Sequence, residues 1–472
     1  MMTLQQACGW IGAATLVGDG LVEIKRVHTD TRTLQPGDLF VALKGDNFDA
    51  HDFLAQAKAN GAVAAIAQHG LREAGLPGLQ VSDAKIALGQ LAAGWRSQFD
   101  LPLVAVTGSN GKTTVTQMIA CIMRAFRPTQ AFATEGNLNN DIGVPLTLLR
   151  LTKDHCIGVV ELGMNHPGEI AYLAQLAKPS VAVINNAQRE HLEFMGSVEA
   201  VAHENGAVID ALGFQGVAVF PADDEFTSVW AAKAGARRVM TFAIEGDANV
   251  TATANWTDSA WRVVAATPHG DVAFTLNIAG RHNVKNALAA IACCLAAGVP
   301  LDAIAKGLTA FEPVKGRSRA IQVNIQGHHL TLIDDTYNAN PDSMRAAIDV
   351  LAALPGPRLL VMGDMGEVGS EGPQFHEEAG RWAYAQGIEK LYTLGAQSAL
   401  TSHAFAGSGG RHGQHFDEIN SLTEAVTAQL PAVRSVLVKG SRFMKMERVV
   451  HAITAQQKQE QDQEDKAAQH AH

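Results

Sequence analysis

Cysteine is scarce and unpatterned. The five present (Cys8, Cys121, Cys156, Cys293, Cys294) form neither a C-x-x-C pair nor a Cys/His ligand spacing, so neither a disulfide framework nor a zinc site is indicated and a reducing cytoplasm fits best. Long apolar runs are missing as well: no segment reaches the roughly 18 to 20 apolar residues that span a bilayer. The opening MMTLQQACGW lacks a basic region followed by a sustained apolar stretch, so no export signal is expected. Positive charge is in deficit, with Lys+Arg 37 against Asp+Glu 47 and a net charge of −10. No global field therefore draws the chain onto nucleic acid or an anionic membrane, although a local basic site is still compatible with it.

What is present reads as an ordinary folded protein. Hydrophobic residues make up 47% of the 472 and charged residues 18%, too apolar for a disordered chain. At about 150 residues per domain the length predicts about three domains. Residues 1–82 mix short strand-like runs (GDLFVAL, AVAAIA) with a helical DFLAQAKANG and read as a small α/β domain. Residues 83–313 alternate strand and helix through LVAV, CIGVVEL, VAVIN and GVAVF, the pattern of a mostly parallel sheet covered on both faces. From Val250 to about Ile278 the reading changes to alternating strands, and an alanine-rich helix, Asn283 to Ala297, follows. Residues 314–455 form a third α/β series through HLTLIDD, RLLVMGD, KLYTLG and SVLVKG, and residues 456–472 a polar tail expected to be disordered.

The strongest local signal is LVAVTGSNGKTT. An apolar strand runs into Gly108, Ser109, Asn110, Gly111, Lys112, Thr113 and Thr114 and then into a helix, so that backbone N–H groups and a helix N-terminus converge on phosphate oxygens. Lys112 would neutralise β/γ charge and Thr113 would ligate Mg²⁺. The fit to G-x-x-x-x-G-K-S/T is incomplete: Val106 stands at the first glycine position and Gly108 is the turn glycine. The bland alternative is an ordinary strand-to-helix turn. Glu161 ends the strand VVEL, and His191 follows VAVIN in NNAQREHLEFMGS. In a parallel sheet both would lie beyond the strands' carboxyl ends, where ligands gather. A strand-end carboxylate also commonly caps a turn, and a lone histidine is commonly packed or solvated.

Taken together, VTGSNGKTT, GNLNNDIGVPLTLL, ELGMNHPGEI, NNAQREHLEFMGS, GRHNVKNALAA, DDTYNANPDSM and VLVKGSR resemble the Mur ligase family, in the family's motif order and over nearly the whole chain. The resemblance implies three domains: an N-terminal UDP-substrate domain, a central P-loop ATPase and a C-terminal Rossmann-like domain. It implies an ATP-dependent ligase of peptidoglycan synthesis, joining D-alanyl-D-alanine to UDP-N-acetylmuramoyl-tripeptide through an acyl phosphate, with ATP as co-substrate and Mg²⁺. Such a protein is expected to be a cytoplasmic monomer without nucleic-acid or membrane partners. Carried over motif by motif, Lys112, Glu161 and His191 are catalytic, and Thr113, Glu161 and His191 serve magnesium. Asn283 and Asn286 fall in the adenine-contacting segment, Arg317 matches a nucleotide-contacting arginine, and Asp335 the acid that reaches the ribose. Asp30, Thr31 and Arg32 resemble a D-S-R segment near the UDP moiety, with threonine for serine. Asn139 and Asn140 lie where the muramoyl peptide crosses into the central domain. Tyr337, Asn338, Asn340, Ser343, Lys439 and Arg442 are the expected surface for the dipeptide and the reacting carboxylate, and turn and cap chemistry is the plain alternative for Asn-Ala-Asn-Pro.

One departure stands out. Related ligases carry a carbamoylated lysine after the H-L-E motif, whereas VAHENGAVI places Asn205 there. Asparagine cannot be carbamoylated, so the resemblance leaves the second magnesium to Glu204, water or the substrate carboxylate. Two other readings share the phosphate loop: a sister Mur-family or folylpolyglutamate-type ligase, and a P-loop ATPase that hydrolyses ATP only to change shape.

Overall fold

The computed structural model describes residues 1–257, 260–325 and 327–457. The expected polar tail lies outside the described residues from position 458 onward. The architecture is α/β throughout, built on three larger sheets and two small antiparallel ones. In the N-terminal part, strands Thr15–Val17, Gly78–Gln80, Ala62–Ala67, Asp38–Val41 and Arg26–His28 lie side by side in that order. Only the first pair runs antiparallel.

The central sheet is parallel across all six strands, in the order Arg238–Phe242, Val217–Pro221, Val181–Ile184, Leu103–Thr107, Ile157–Glu161, Ala131–Ala133. Its register follows from burial on both faces. Every residue of Leu103–Thr107 is buried; Leu103 and Ala105 join one apolar cluster, while Val104 and Val106 join the other, as the two-residue period of a strand requires. From Leu103–Thr107 the chain first builds Ala131–Ala133 and Ile157–Glu161 on one side, then Val181–Ile184 on the other. The order reverses beside the carboxyl end of Leu103–Thr107, and such a switch point opens a crevice.

Strands Thr251–Thr257, Ala260–Ala266 and Val272–Leu276 form the expected antiparallel patch. Helix Arg281–Ala296 follows, with twelve buried residues; its small side chains let it lie deep in the core. Burial raises the thiol pKa of both Cys293 and Cys294, which leaves them unreactive.

The C-terminal sheet has the order Arg319–Ile325, His328–Asp335, Ser435–Lys439, Arg358–Gly363, Lys390–Leu394, Gly413–Phe416. Its first pair is an antiparallel hairpin that the sequence reading did not anticipate, because Arg319–Ile325 is exposed at alternate positions and lacks a continuous apolar run. No helix among the described residues is long and apolar enough to cross a membrane.

Helix Lys112–Phe126, which begins at the lysine of the Gly-Lys-Thr-Thr run, is backed by helix Leu301–Thr309 at very short range. A Cβ added at Gly307 would lie 2.4 Å from the Ile122 Cα, so the contact is backbone to backbone. Gly307→Ala should force the helices apart and lower unfolding free energy by about 1–3 kcal/mol, read as a shifted denaturant midpoint with an unchanged slope. A neutral substitution would show that the helices separate freely.

Candidate active site

The buried strand Leu103–Thr107 delivers the chain to a loop whose shape depends on two glycines. Gly108 has φ 126° and Gly111 φ 83°, and a Cβ at Gly111 would lie 2.6 Å from both Asn185 Nδ2 and Asn286 Oδ1. Gly111 precedes helix Lys112–Phe126 without any side-chain cap, so the helix N-terminus presents N–H groups and positive potential to the crevice.

Uncharged groups hold the loop from beneath. Asn205 Oδ1 accepts the Thr107 hydroxyl at 2.7 Å and the Gly108 N–H at 3.0 Å. Asn186 Oδ1 accepts the Asn110 N–H at 2.8 Å, and Asn185 Nδ2 donates to the Asn110 carbonyl at 2.7 Å. The same Asn185 amide donates to Asn286 Oδ1, Asn286 donates to Asn283 Oδ1, and Asn283 donates to the Ala279 carbonyl. Asn283 and Asn286, expected near adenine, thus border the cavity while their amides form a chain running under the loop. Lys112 Nζ donates to the carbonyls of Gly108 and Ser109 at 2.6 and 3.0 Å and to Glu190 Oε1 at 2.7 Å.

Glu161 is 2% exposed. Its Oε1 accepts from Thr113 Oγ1 at 3.1 Å and from Asn139 Nδ2 at 2.7 Å, while its buried Oε2 has no partner. An orphaned carboxylate oxygen beside a hydroxyl fits a hard divalent cation. His191 is differently placed. It sits at φ 50°, with Nδ1 2.7 Å from Glu367 and Nε2 3.5 Å from Glu190. Burial lowers its pKa, but the facing Glu190 and Glu367 carboxylates outweigh that and hold it up at about 9. In this arrangement the ring is an imidazolium between carboxylates, and a metal would have to displace its proton.

Neither of the nearby protein groups considered for a second cation is free. Asn205 is fully buried under the loop, and Glu204 accepts the N–H groups of Gly168 and Ile170 at 2.9 and 2.8 Å, which ties it to the start of helix Glu169–Ala177. Asp49, His51 and His69 also come together in the N-terminal domain. Gln68 N–H donates to His51 Nε2 and Asp49 faces Nδ1 at 2.6 Å, so both ring nitrogens are already engaged.

The opposite wall comes from the C-terminal domain. Asn340 and Ser343 form a reciprocal capping box on helix Pro341–Ala352, so the plain cap reading of Asn-Ala-Asn-Pro holds at Asn340; Asn340 Nδ2 also reaches Asn110 Oδ1 at 3.0 Å. Asp335 and Lys439 are paired at 2.6 Å, and Lys439 also donates to the Asn338 carbonyl. Burial raises the Asp335 pKa, but the Lys439 ammonium, the Ser318 N–H and His282 together bring it below the ordinary carboxylate value, so the carboxylate stays ionised. Arg317 lies 3.9 Å over the Tyr337 ring and donates to Thr113 Oγ1 at 3.1 Å. These residues, with Asn140, border one cavity of about 660 Å³. Arg442 does not: it is exposed and pairs with Glu447. Asp30, Thr31 and Arg32 are also apart from it. The Arg32 side chain folds back on Asp30 at 2.7 Å and holds that carboxyl down at about 2.

Sequence reading missed the residues flanking His191. Arg189 crosses to the C-terminal domain, donating to Asp342 at 2.6 Å and Glu378 at 2.8 Å while lying over Phe375. Gln188 and Glu190 face the loop instead. The available signal was a polar run, Asn185 to Glu190, following directly on a fully buried strand.

Comparison with known proteins bears on the whole chain. Residues 23–96 match the catalytic domain described for the Mur ligase family, residues 106–294 the Mur ligase middle domain, and residues 316–442 the Mur ligase glutamate ligase domain. The UDP-N-acetylmuramoyl-tripeptide–D-alanyl-D-alanine ligase of Escherichia coli K12 is 43% identical over 436 residues, covering 92% of this chain and 94% of that protein. Its counterpart in Haemophilus influenzae is 39% identical over 448 residues, covering 93% and 96%. Among solved structures, MurF from Acinetobacter baumannii superposes with TM-score 0.88 at 37% identity over 96% of this chain and 98% of that one. The Thermotoga maritima MurF ligase in complex with ADP gives 0.81 at 26% identity, covering 92% and 98%.

Two substitutions test this geometry. Asn205→Ala removes the acceptor of two buried donors and should cost about 1–3 kcal/mol of stability, measured by urea unfolding; no change would mean water replaces the amide. Arg189→Ala should loosen the C-terminal domain, with a larger radius of gyration by X-ray scattering. Superimposable profiles would show that the remaining contacts suffice.

Proposed function

The chain belongs to the Mur ligase family, and from that premise we propose that it joins D-alanyl-D-alanine to UDP-N-acetylmuramoyl-tripeptide at the expense of ATP, making a peptidoglycan precursor. The observation that carries this reading is the single cleft in which Lys112 and an uncapped helix N-terminus face Arg317, Asp335 and Asn340 of the C-terminal domain. A cleft between domains suits a reaction with three substrates and a water-sensitive intermediate.

A carboxylate and an amine at neutral pH form a salt rather than an amide, so the carboxylate needs a better leaving group. In-line attack of the peptide carboxylate on the γ-phosphorus of ATP yields an acyl phosphate and ADP. The dipeptide's free amine then attacks the acyl carbon, and the tetrahedral oxyanion collapses with loss of phosphate. Lys112 and the loop N–H groups hold the phosphates and stabilise charge on the transferring group. Glu161 and Thr113 would hold magnesium, which supplies neutralisation of triphosphate charge. Arg317, stacked on Tyr337 and bonded to Thr113, brings a second positive charge from the other domain. Closure over the cleft keeps water from the acyl phosphate.

Roles for the remaining residues follow the same reading. Asn139 orients Glu161; Asn338, Tyr337 and the Asp335–Lys439 pair face the incoming substrates; Asp30, Thr31 and Arg32 serve the UDP end on the N-terminal domain. Domain limits near residues 82 and 313 suit this division of labour, with closure turning about Pro313 to Gly316. A cytoplasmic location suits a chain whose cysteines are all unbridged.

Incubation with UDP-N-acetylmuramoyl-tripeptide, ATP and D-alanyl-D-alanine should give a product of the condensed mass, and Lys112→Ala should reduce it by at least about 10²-fold while leaving the circular dichroism spectrum intact. ATP turnover should require both partners. Phosphate release at an undiminished rate without either of them would favour the ATPase-switch reading and overturn this one.

A further inference from the structure

The pairing of Lys112 with Glu190 has no role in the chemistry above. An ammonium has three protons to donate, and the three partners of Lys112 Nζ are the carbonyls of Gly108 and Ser109 and the Glu190 carboxylate. None is left for a phosphate oxygen. Two of the partners belong to the loop itself and travel with the lysine. Glu190 belongs to a different segment, beyond strand Val181–Ile184, so it is the contact that can open. At 2.7 Å its oxygen stands where an anionic phosphate oxygen would stand, since both acceptors make charge-assisted bonds of the same length. The two anions cannot share the position: Glu190 is 8% exposed, and like charges repel strongly where water is scarce.

Glu190 is also incompletely satisfied. Its second oxygen is buried without a hydrogen bond, unlike a permanent structural ion pair, in which the remaining lone pairs are filled. Its chain neighbours alternate between two bodies. Gln188 accepts from Asn110 and exchanges bonds with Ser109 of the loop, Arg189 grips Asp342 and Glu378, and His191 meets Glu367 of the C-terminal domain. A shift of Glu190 is therefore felt by a strap that touches both walls of the cleft.

We propose that Glu190 is an internal stand-in for the terminal phosphate: it holds Lys112 while the loop is empty and is expelled by nucleoside triphosphate, making it a positioning residue that sets nucleotide affinity. The proposal rests on the reading of this loop as the ATP site and goes beyond it. Glu190→Gln keeps the shape and removes the charge; Glu190→Ala removes both.

Calorimetric titration with a non-hydrolysable ATP analogue and with ADP separates the possibilities. Both variants should bind the triphosphate analogue about tenfold more tightly than the parent, with ADP affinity less altered and the KM for ATP falling by a similar factor. In a Lys112→Ala background Glu190→Gln should have no further effect, because the group it competes for is gone. Unchanged or weakened analogue binding in both variants, with the parent protein binding normally, overturns the stand-in role alone. Failure of the parent to bind either nucleotide overturns the reading of the site on which it rests.

Discussion

An ammonium group inside a crevice must stay charged and must stay aimed, and the structure around Lys112 is organised by those two demands. A buried charge with unmet donors is costly, and the three acceptors around Nζ offset that cost. The aim comes from further down. Strand Leu103–Thr107 is buried at every residue, and its alternate side chains pack into two different apolar clusters, so a slip by one position would exchange the packing of both faces. The loop that follows inherits this fixed origin, and its glycines let Asn185 and Asn286 approach closely enough to clamp it.

The clamp is made of amides and hydroxyls, with no carboxylate among the groups that hold the loop from beneath. A carboxylate would hold the same N–H groups more strongly, but it would also cancel the positive potential that the helix N-terminus and Lys112 offer to a phosphate. Asparagine fixes geometry and leaves the field intact. Of the carboxylates that line the cleft, Glu161 lies to the side beside Thr113 and Glu190 sits on the lysine itself.

How much of this was legible in the sequence depends on how far apart the partners lie. Ala62–Ala67 is a strand with the limits its apolar run predicts, and Thr107 to Thr114 announces a strand, a tight turn and a helix because each step is local. Asn340, in Asn-Ala-Asn-Pro, was readable as a cap for the same reason. The bonds between Asn205 and Gly108, Glu190 and Lys112, or Arg189 and Asp342 join residues 97, 78 and 153 positions apart. Which strand lies beside Leu103–Thr107 decides those pairings, and strand order is a property of the whole sheet. The run Asn185 to His191 reads locally as a mostly polar loop ending in one candidate histidine. Only adjacency to the phosphate loop shows that the neighbours of that histidine make the contacts.

Adjacency also explains why the two six-stranded sheets meet as they do. Thr107 and Glu161 end strands of the central sheet, and Asp335 and Lys439 end strands of the C-terminal one; all but Thr107 border the same cavity. Each sheet thus turns its carboxyl edge toward the other, where chain direction changes and side chains are released from packing into open space. A single sheet offers one such edge, enough to hold a nucleotide against a flat opening. Two facing edges give the cavity a wall on each side, one fixed by the buried strand and the other made by Arg317, Asn340 and the strap at Arg189. Because those contacts are polar and partly exposed, each contributes little alone and all can be released together. An assembly closed by many weak polar contacts can open again to release product, which a hydrophobic seam of the same extent would resist.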